Sequence, residues 1–264
     1  MRFGICAPMR EVAALKTIPF DYLEESVQRF LVPEAPRDVF LEQLQFARTL
    51  PVPVETANVF LPGDLALIAT PVRPVDRSRI ERYVQTALQR AAEAGIRLIV
   101  FGSGVARACP EGYAHNEALS QLGEYLEHWN IWASRYGVEL VLEPLRYEES
   151  NIFNTVSETE AFVASLNASH VRLLADTYHM ACNGEAPETL TPVARNLAHV
   201  HVAEHAGRSA PGRHGEDLRP YFRALHRAGY NHRISIECNW DDFAVQVAPA
   251  FEALREQWEG SVHR

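Results

Sequence analysis

Short apolar runs of strand length alternate with longer helical patterns along the whole chain, eight times over. That alternation constrains the fold most tightly, because strands separated by helices assemble into a parallel sheet covered by those helices. The runs are Arg2–Cys6, Phe20–Glu24, Val52–Ala57, Arg97–Phe101, Val138–Glu143, Val171–Asp176, Ala198–His201 and Arg233–Glu237. Helical patterns cover Met9–Lys16, Arg37–Leu50, Asp76–Ala94, His115–Tyr136, a segment opening after Thr155, Pro187–Asn196, Asp217–Ala228 and Asp241–Glu259. Gly95 and Gly137 stop two of them, and Ser157-Glu-Thr-Glu160 reads as a capping box. Eight β/α units in 264 residues match one closed (β/α)8 TIM barrel, which typically needs about 250. No linker or low-complexity tract divides the chain, so residues 1–264 are expected to form a single domain.

Four chemically capable side chains end four consecutive runs: Glu143, Asp176, His201 and Glu237. In a parallel barrel the carboxyl ends of the strands converge on the face that carries chemistry. Strand parity agrees. Ser235 shares a face with Glu237, His199 with His201, and Val141 with Glu143, which sets the polar positions toward the interior. Three carboxylates held together would repel, and a divalent cation resolves that. Three carboxylate oxygens and one imidazole nitrogen suit Mn2+, Co2+, Mg2+ or Zn2+. Any one of the four, taken alone, is explained equally well as a solvated strand-end residue; four in succession favour a shared site.

Further candidates lie nearby. His179, three residues past Asp176, reads as a donor over such a site or as a surface loop histidine. Arg208, seven past His201, reads as a contact to a substrate oxygen or as a solvated arginine. Glu148 and Glu149 form an acidic pair from which one carboxylate can reach the pocket. Gly102-Ser-Gly104 is too short for a phosphate cradle and reads as a flexible loop.

Composition removes several functions. The net charge of −9 disfavours nucleic acid as a partner. Lys16 is the only lysine and falls in the first helical pattern, so Schiff-base chemistry is nearly excluded. Cys6, Cys109, Cys182 and Cys238 form no CxxC pair, as expected for incidental thiols in a reducing cytoplasm. No secretory pattern opens the chain and no apolar run approaches the ~20 residues needed to span a bilayer, so a cytoplasmic location is expected.

A metal beside two glutamates can act on a sugar held through its carbonyl and neighbouring hydroxyl. One glutamate removes the acidified proton to give an enediolate. Reprotonation by the second on the opposite face is epimerisation, return to the adjacent carbon is isomerisation, and loss of a β-hydroxyl is dehydration. The first half-reaction is common to all three, so the donor set leaves the choice open.

Several motifs carry a resemblance: Glu143-Pro-Leu-Arg with Asn154-Thr155, Asp176-Thr-Tyr-His-Met180, His199-Val-His-Val-Ala-Glu204, Pro211-Gly212, and Gly229-Tyr230 leading into Ile236-Glu237. In these the chain resembles the xylose isomerase-like barrel superfamily, in its sugar isomerase/epimerase branch, and most of all ketose 3-epimerases of the D-tagatose and D-psicose type. The match covers residues 138–240 well and the N-terminal half only in layout. The resemblance implies one metal, Mn2+ or Co2+ by preference, on Glu143, Asp176, His201 and Glu237. It implies Glu143 and Glu237 as the acid/base pair, and Glu149, His179 and Arg208 as substrate contacts. A small sugar or sugar phosphate would be the substrate and a homo-oligomer, dimer or tetramer, the working form, with no nucleic acid or membrane partner. The chain departs from that pattern after Pro211-Gly212, where Arg213-His214 follows, and the loop before it is about one residue longer. Three alternatives remain. One is a dehydratase for cyclitol ketones of the inosose type. Another is an apurinic-site endonuclease-like hydrolase, although Ala57-Asn58-Val59 and Phe101–Gly104 lack the imidazoles of its three-zinc site, and His214 alone does not restore them. The third is a non-catalytic metal- or sugar-binding barrel.

Overall fold

All eight expected strands form and pair in chain order: β1 (Arg2–Cys6), β2 (Tyr22–Ser26), β3 (Val54–Asn58), β4 (Leu98–Phe101), β5 (Glu139–Leu142), β6 (Val171–Asp176), β7 (Leu197–Val202) and β8 (Arg233–Ile236). In the computed structural model, which describes residues 1–262, every pairing is parallel. β8 returns to β1 through Arg2↔Arg233 to Ile5↔Ile236, closing the barrel. The helices are α1 (Met9–Ala13), α2 (Val27–Phe30), α3 (Arg37–Ala47), α4 (Arg77–Ala94), α5 (Gly104–Arg107), α6 (His115–Tyr136), α7 (Val156–Ser165), α8 (Thr177–Cys182), α9 (Arg219–Arg227) and α10 (Phe243–Glu259). Among the described residues no helix is long and apolar enough to cross a membrane.

Alternating burial produces two cores. The larger lies between strands and helices, where Phe60 meets Phe101 and Trp129 edge to face at 5.7 and 6.1 Å between centroids. The smaller, Leu98, Val100, Val141, Leu174 and Ala198, occupies the barrel interior. Following the same parity toward the carboxyl ends, interior positions turn polar: Glu24, Thr56, Asn58, Asp176, His201 and Ser235. Tyr22 fills the interior opposite Gly4, where a Cβ would lie 2.2 Å from the Tyr22 ring, so β1 accepts only glycine there.

Several boundaries differ from the sequence expectation. β2 runs two residues later than Phe20–Glu24, because Phe20 packs outward on Phe251 of α10 at 5.4 Å. β3 starts at Val54 rather than Val52, since Pro51 and Pro53 have no N–H to give a ladder. The helix expected over Pro187–Asn196 is one 3-10 turn, Pro187–Leu190, and Pro192 prevents its continuation. The first helix ends at Ala13, short of Lys16, which is exposed. α7 is capped two residues earlier than Ser157–Glu160 implied. Glu158 N donates to Thr155 Oγ1 at 3.1 Å, and Glu158 accepts from Asn154 N at 3.0 Å. β5 and β8 stop one residue short, leaving Glu143 and Glu237 immediately beyond the ladder.

Candidate metal centre and substrate cleft

Glu143, Asp176, His201 and Glu237 meet at the carboxyl ends of β5–β8, each offering one donor atom within 4.8 Å of the others. His201 Nδ1 lies 3.4 Å from Glu143 Oε1 and 3.2 Å from Glu237 Oε2. Local structure aims each side chain. Asp176 caps α8, its Oδ1 accepting from Tyr178 N at 2.7 Å, which leaves Oδ2 for the cluster. Glu237 Oε1 accepts from Asn58 Nδ2 of β3 at 3.0 Å, leaving Oε2. Glu143 Oε1 and His201 Nδ1 are buried without any hydrogen-bond partner. Two buried polar atoms without partners, set among further carboxylates, are costly unless a cation satisfies them. The donor set fits a divalent metal ion.

The two glutamates have opposite electrostatics. Burial pushes the Glu143 carboxyl up, and the nearby Glu237 charge adds to that. Burial would also raise Glu237, but the charges of His201 and Arg208 outweigh it and hold this carboxyl down at about 2.

A further polar layer lies inside the barrel. Glu24 of β2 is fully buried and reaches β7, its Oε1 2.9 Å from His201 Nε2 and its Oε2 2.7 Å from His199 Nε2. Thr56 Oγ1 and Ser235 Oγ donate to Oε2 at 2.8 and 2.9 Å. Burial alone would raise the Glu24 carboxyl; His201 and His199 outweigh it and hold it well below the usual range. Glu24 is a site residue absent from the sequence expectation, although it too ends an expected strand.

A cleft of about 200 Å3 opens over the cluster, lined among others by Asn58, Gly102, Glu143, Glu149, His179, Arg208 and Glu237. All three expected substrate contacts are therefore beside it. His179 Nδ1 accepts from Arg146 N at 3.2 Å, which assigns the proton to Nε2, 3.7 Å from Asp176 Oδ2. Arg208 is bound within the chain: its Nη2 donates to Asp176 Oδ2 at 2.9 Å and to Glu237 Oε2, over the Tyr178 ring. Its backbone sits at φ 51° beside Gly207 at φ 69°, and Asn239 N donates to its carbonyl at 2.7 Å. Glu204, fully buried, anchors the following loop by accepting from Gly212, His214, Gly215 and Glu216 backbone N–H groups. Glu149 pairs with Arg146 at 2.6 Å, whereas Glu148 is exposed at 4.0 Å from the same guanidinium. His214 meets Ser209 Oγ at 3.2 Å and belongs to that loop, not to the cluster.

Gly102-Ser-Gly104 is packed rather than a free loop. A Cβ at Gly102 would lie 2.4 Å from Glu143 Oε2, and one at Gly104 2.3 Å from the Glu149 carbonyl oxygen. Arg107 of α5, fully buried, donates from Nη1 to Phe101 O and from Nη2 to Glu143 O. A larger cleft, about 700 Å3, lies at the opposite end of the barrel near Val54, Arg97 and Arg233, away from all these residues.

Fold and cluster together define a (β/α)8 barrel with a metal-type donor set at the carboxyl ends of its strands. The chain belongs to the xylose isomerase-like TIM barrel family, whose model matches residues 12–259. It is 33% identical over 109 residues to a ketose 3-epimerase of Arthrobacter globiformis, covering 40% of this chain and 36% of that protein. It is 30% identical over 112 residues to a putative hydroxypyruvate isomerase of Streptomyces coelicolor, covering 40% of each. The chain thus matches well under half the length of these relatives. The solved 3-keto-D-glucoside 4-epimerase of E. coli superposes with a TM-score of 0.78 at 20% identity, covering 97% of this chain and 99% of that one. D-Psicose 3-epimerase of Clostridium cellulolyticum H10, solved with D-tagatose, gives 0.75 at 19% identity, covering 99% and 97%. At those identities the superpositions establish the shared fold.

Proposed function

We propose that this chain is a divalent-metal-dependent sugar epimerase of the ketose 3-epimerase kind, working on a free or phosphorylated ketose as a cytoplasmic homo-oligomer. The observation that carries the reading is the pair of buried polar atoms without hydrogen-bond partners, Glu143 Oε1 and His201 Nδ1, converging with Asp176 and Glu237 under a small cleft. The epimerase names of the relatives support the same reaction class.

A divalent cation held by Glu143, Asp176, His201 and Glu237, Mn2+ or Co2+ by preference, supplies Lewis acidity that makes the C–H beside a sugar carbonyl removable. Glu143 and Glu237 act as an acid/base pair: the one that is ionised takes the proton at C3, and the other, carrying a proton, delivers it to the opposite face. The His179 Nε2–H and the Arg208 guanidinium donate to sugar oxygens and stabilise the charge that develops there. Glu149 accepts from a sugar hydroxyl at the cleft wall. Asn58 and Gly102, just beyond the β3 and β4 ladders or at their ends, supply no imidazole for a multi-metal nuclease site, which favours the single-metal reading.

Proton NMR of the Mn2+-treated protein after chelation of the paramagnetic ion, on reactions run in D2O with a panel of free and phosphorylated ketoses, tests this. Deuterium at C3 with formation of the C3 epimer is the expected result. Deuterium at C1 or C2 with an aldose product would make the enzyme an isomerase. No exchange on any sugar with metal bound would overturn the proposal and favour dehydration of a cyclitol ketone or metal-assisted hydrolysis.

A further inference from the structure

The interior layer beneath the cluster contains a carboxylate that the proposed reaction does not use. Glu24 lies on β2, and reaches His199 and His201 of β7 through the barrel interior. We propose that Glu24 is a positioning residue that sets the affinity of the centre for its divalent cation, by fixing His201 in the tautomer whose Nδ1 lone pair faces Glu143, Asp176 and Glu237. This rests on the metal-dependent reading of the cluster.

An ionised carboxylate only accepts, so any imidazole nitrogen bonded to it must carry the proton. Both Nε2 atoms of the β7 histidines contact Glu24, at 2.7 and 2.9 Å, so both rings are protonated there. Two further donors reach Oε2. Thr56 Oγ1 donates directly, and Ser235 Oγ donates while accepting from Tyr22 OH at 2.9 Å. Four donors on a fully buried carboxylate keep it ionised and leave it no freedom to rotate. In the neutral ring that a cation requires, His201 Nδ1 is then the free nitrogen, directed at the cluster 3.2 Å from Glu237 Oε2. A carboxylate behind a ligating imidazole both orients the ring and makes its other nitrogen more basic.

Cys6 belongs to the same neighbourhood, its Sγ 3.9 Å from His201 Nε2, and Cys6, Glu24 and His201 could be read as a second metal-binding trio. The hydrogen bonds argue otherwise. The Glu24 oxygens and His201 Nε2 are already engaged with one another, and burial pushes the Cys6 thiol up, away from the thiolate a metal requires. Glu24 therefore acts on the cation through His201 and does not bind one itself.

Calorimetric titration of the metal-free protein with Mn2+, accompanied by the visible spectrum of the Co2+-loaded form, tests the assignment without using turnover. Glu24→Gln keeps the side-chain length but loses the charge and the pure acceptor character. Its Mn2+ affinity is expected to fall by about 10–100-fold, the usual cost of losing such a partner, with altered Co2+ bands. A second variant, Ser235→Ala with Thr56→Val, removes two donors from Glu24 and leaves the carboxylate itself in place. It is expected to weaken Mn2+ binding by a smaller factor, and it decides the question should Glu24→Gln not fold. Unchanged affinity and Co2+ bands in the folded variant would overturn the role of Glu24 while leaving the metal centre standing. A wild-type protein that binds none of Mn2+, Co2+, Mg2+ and Zn2+ would overturn both.

Discussion

Arg107 Nη2 donates to the main-chain carbonyl of Glu143 at 2.7 Å, while its Nη1 donates to that of Phe101 at 3.1 Å. The guanidinium thus ties the ends of β4 and β5 together directly behind a proposed catalytic carboxylate. It is fully buried, flanked by the Phe101 and Phe153 rings, with no carboxylate bonded to it; burial pushes its pKa down to about 10, so it stays charged at neutral pH. Arg107→Leu would leave the Glu143 carbonyl without a donor, at about 1–3 kcal/mol for a buried group stranded, while Phe101 O keeps its bond from Glu143 N at 3.2 Å. Urea denaturation should show that loss, and Arg107→Lys should recover part of it. Wild-type stability in Arg107→Leu would mean that water or backbone movement replaces the guanidinium.

Gly102 gives a cleaner perturbation of the same carboxylate. Its φ is not in the left-handed region, yet a Cβ there would come within 2.4 Å of Glu143 Oε2. Gly102→Ala is therefore expected to displace the Glu143 side chain, weakening Mn2+ binding and turnover while the protein stays folded. Gly63→Ala is the control, because its Cβ meets only the Val105 side chain, at 3.4 and 3.6 Å. That variant should stay within about 0.5 kcal/mol of wild type. Equal metal affinity in the two variants would mean that Glu143 has slack which the packing does not show.

The barrel was legible because its punctuation is local. Gly95 and Gly137 both close helices at positive φ, as their positions in the sequence implied. The four clustered side chains were legible for a related reason: strand parity and the convergence of parallel strand ends are properties of the backbone, independent of sequence detail. Glu24 met the same criterion as Glu143 and Glu237, but the expected β2 was placed two residues early, and nothing in the sequence shows that β2 and β7 meet through the interior. Asn58 was hidden by a one-residue error at the end of β3. Arg107 gives no sequence signal, since a single arginine in a four-residue helix usually faces solvent. Contacts between loops are set by tertiary packing, and periodicity does not register them.

The two-base reading makes separate demands on Glu143 and Glu237. Glu143→Gln and Glu237→Gln retain shape and hydrogen bonding but cannot take a proton. Each should lower kcat for the ketose identified by deuterium exchange by about 10²–10⁴-fold. Stopping turnover in both while preserving Co2+ binding in at least one would separate proton transfer from ligation. A near-normal rate in either variant would sink the two-base proposal.

Chelation addresses the cation itself. Dialysis against EDTA should abolish turnover, and Mn2+ or Co2+ should restore it. The loaded protein should also be the more stable, by about 2.7 kcal/mol at a free metal concentration one hundred times Kd. Turnover that survives complete chelation, verified by elemental analysis, would remove the metal from the reaction.

Arg208 is the residue whose backbone argues most directly for a role beyond stability. A non-glycine residue at φ 51° persists where surrounding structure holds it, and here Asn239, Gly207 and the loop anchored by Glu204 do so. The result is a guanidinium set over Tyr178 and against Asp176 and Glu237, facing the cleft. A charge-assisted hydrogen bond from it to substrate contributes about 1.5–3 kcal/mol, equivalent to roughly 10–100-fold in affinity. Arg208→Met should therefore raise KM by about that factor, and Arg208→Lys by less. If the bond strengthens as charge develops on the sugar oxygen, kcat falls as well, and the split between the two constants measures how much of the contact belongs to the transition state. Unaltered kcat and KM in Arg208→Met would reduce Arg208 to a counter-charge for Asp176 and Glu237, with no contact to the sugar.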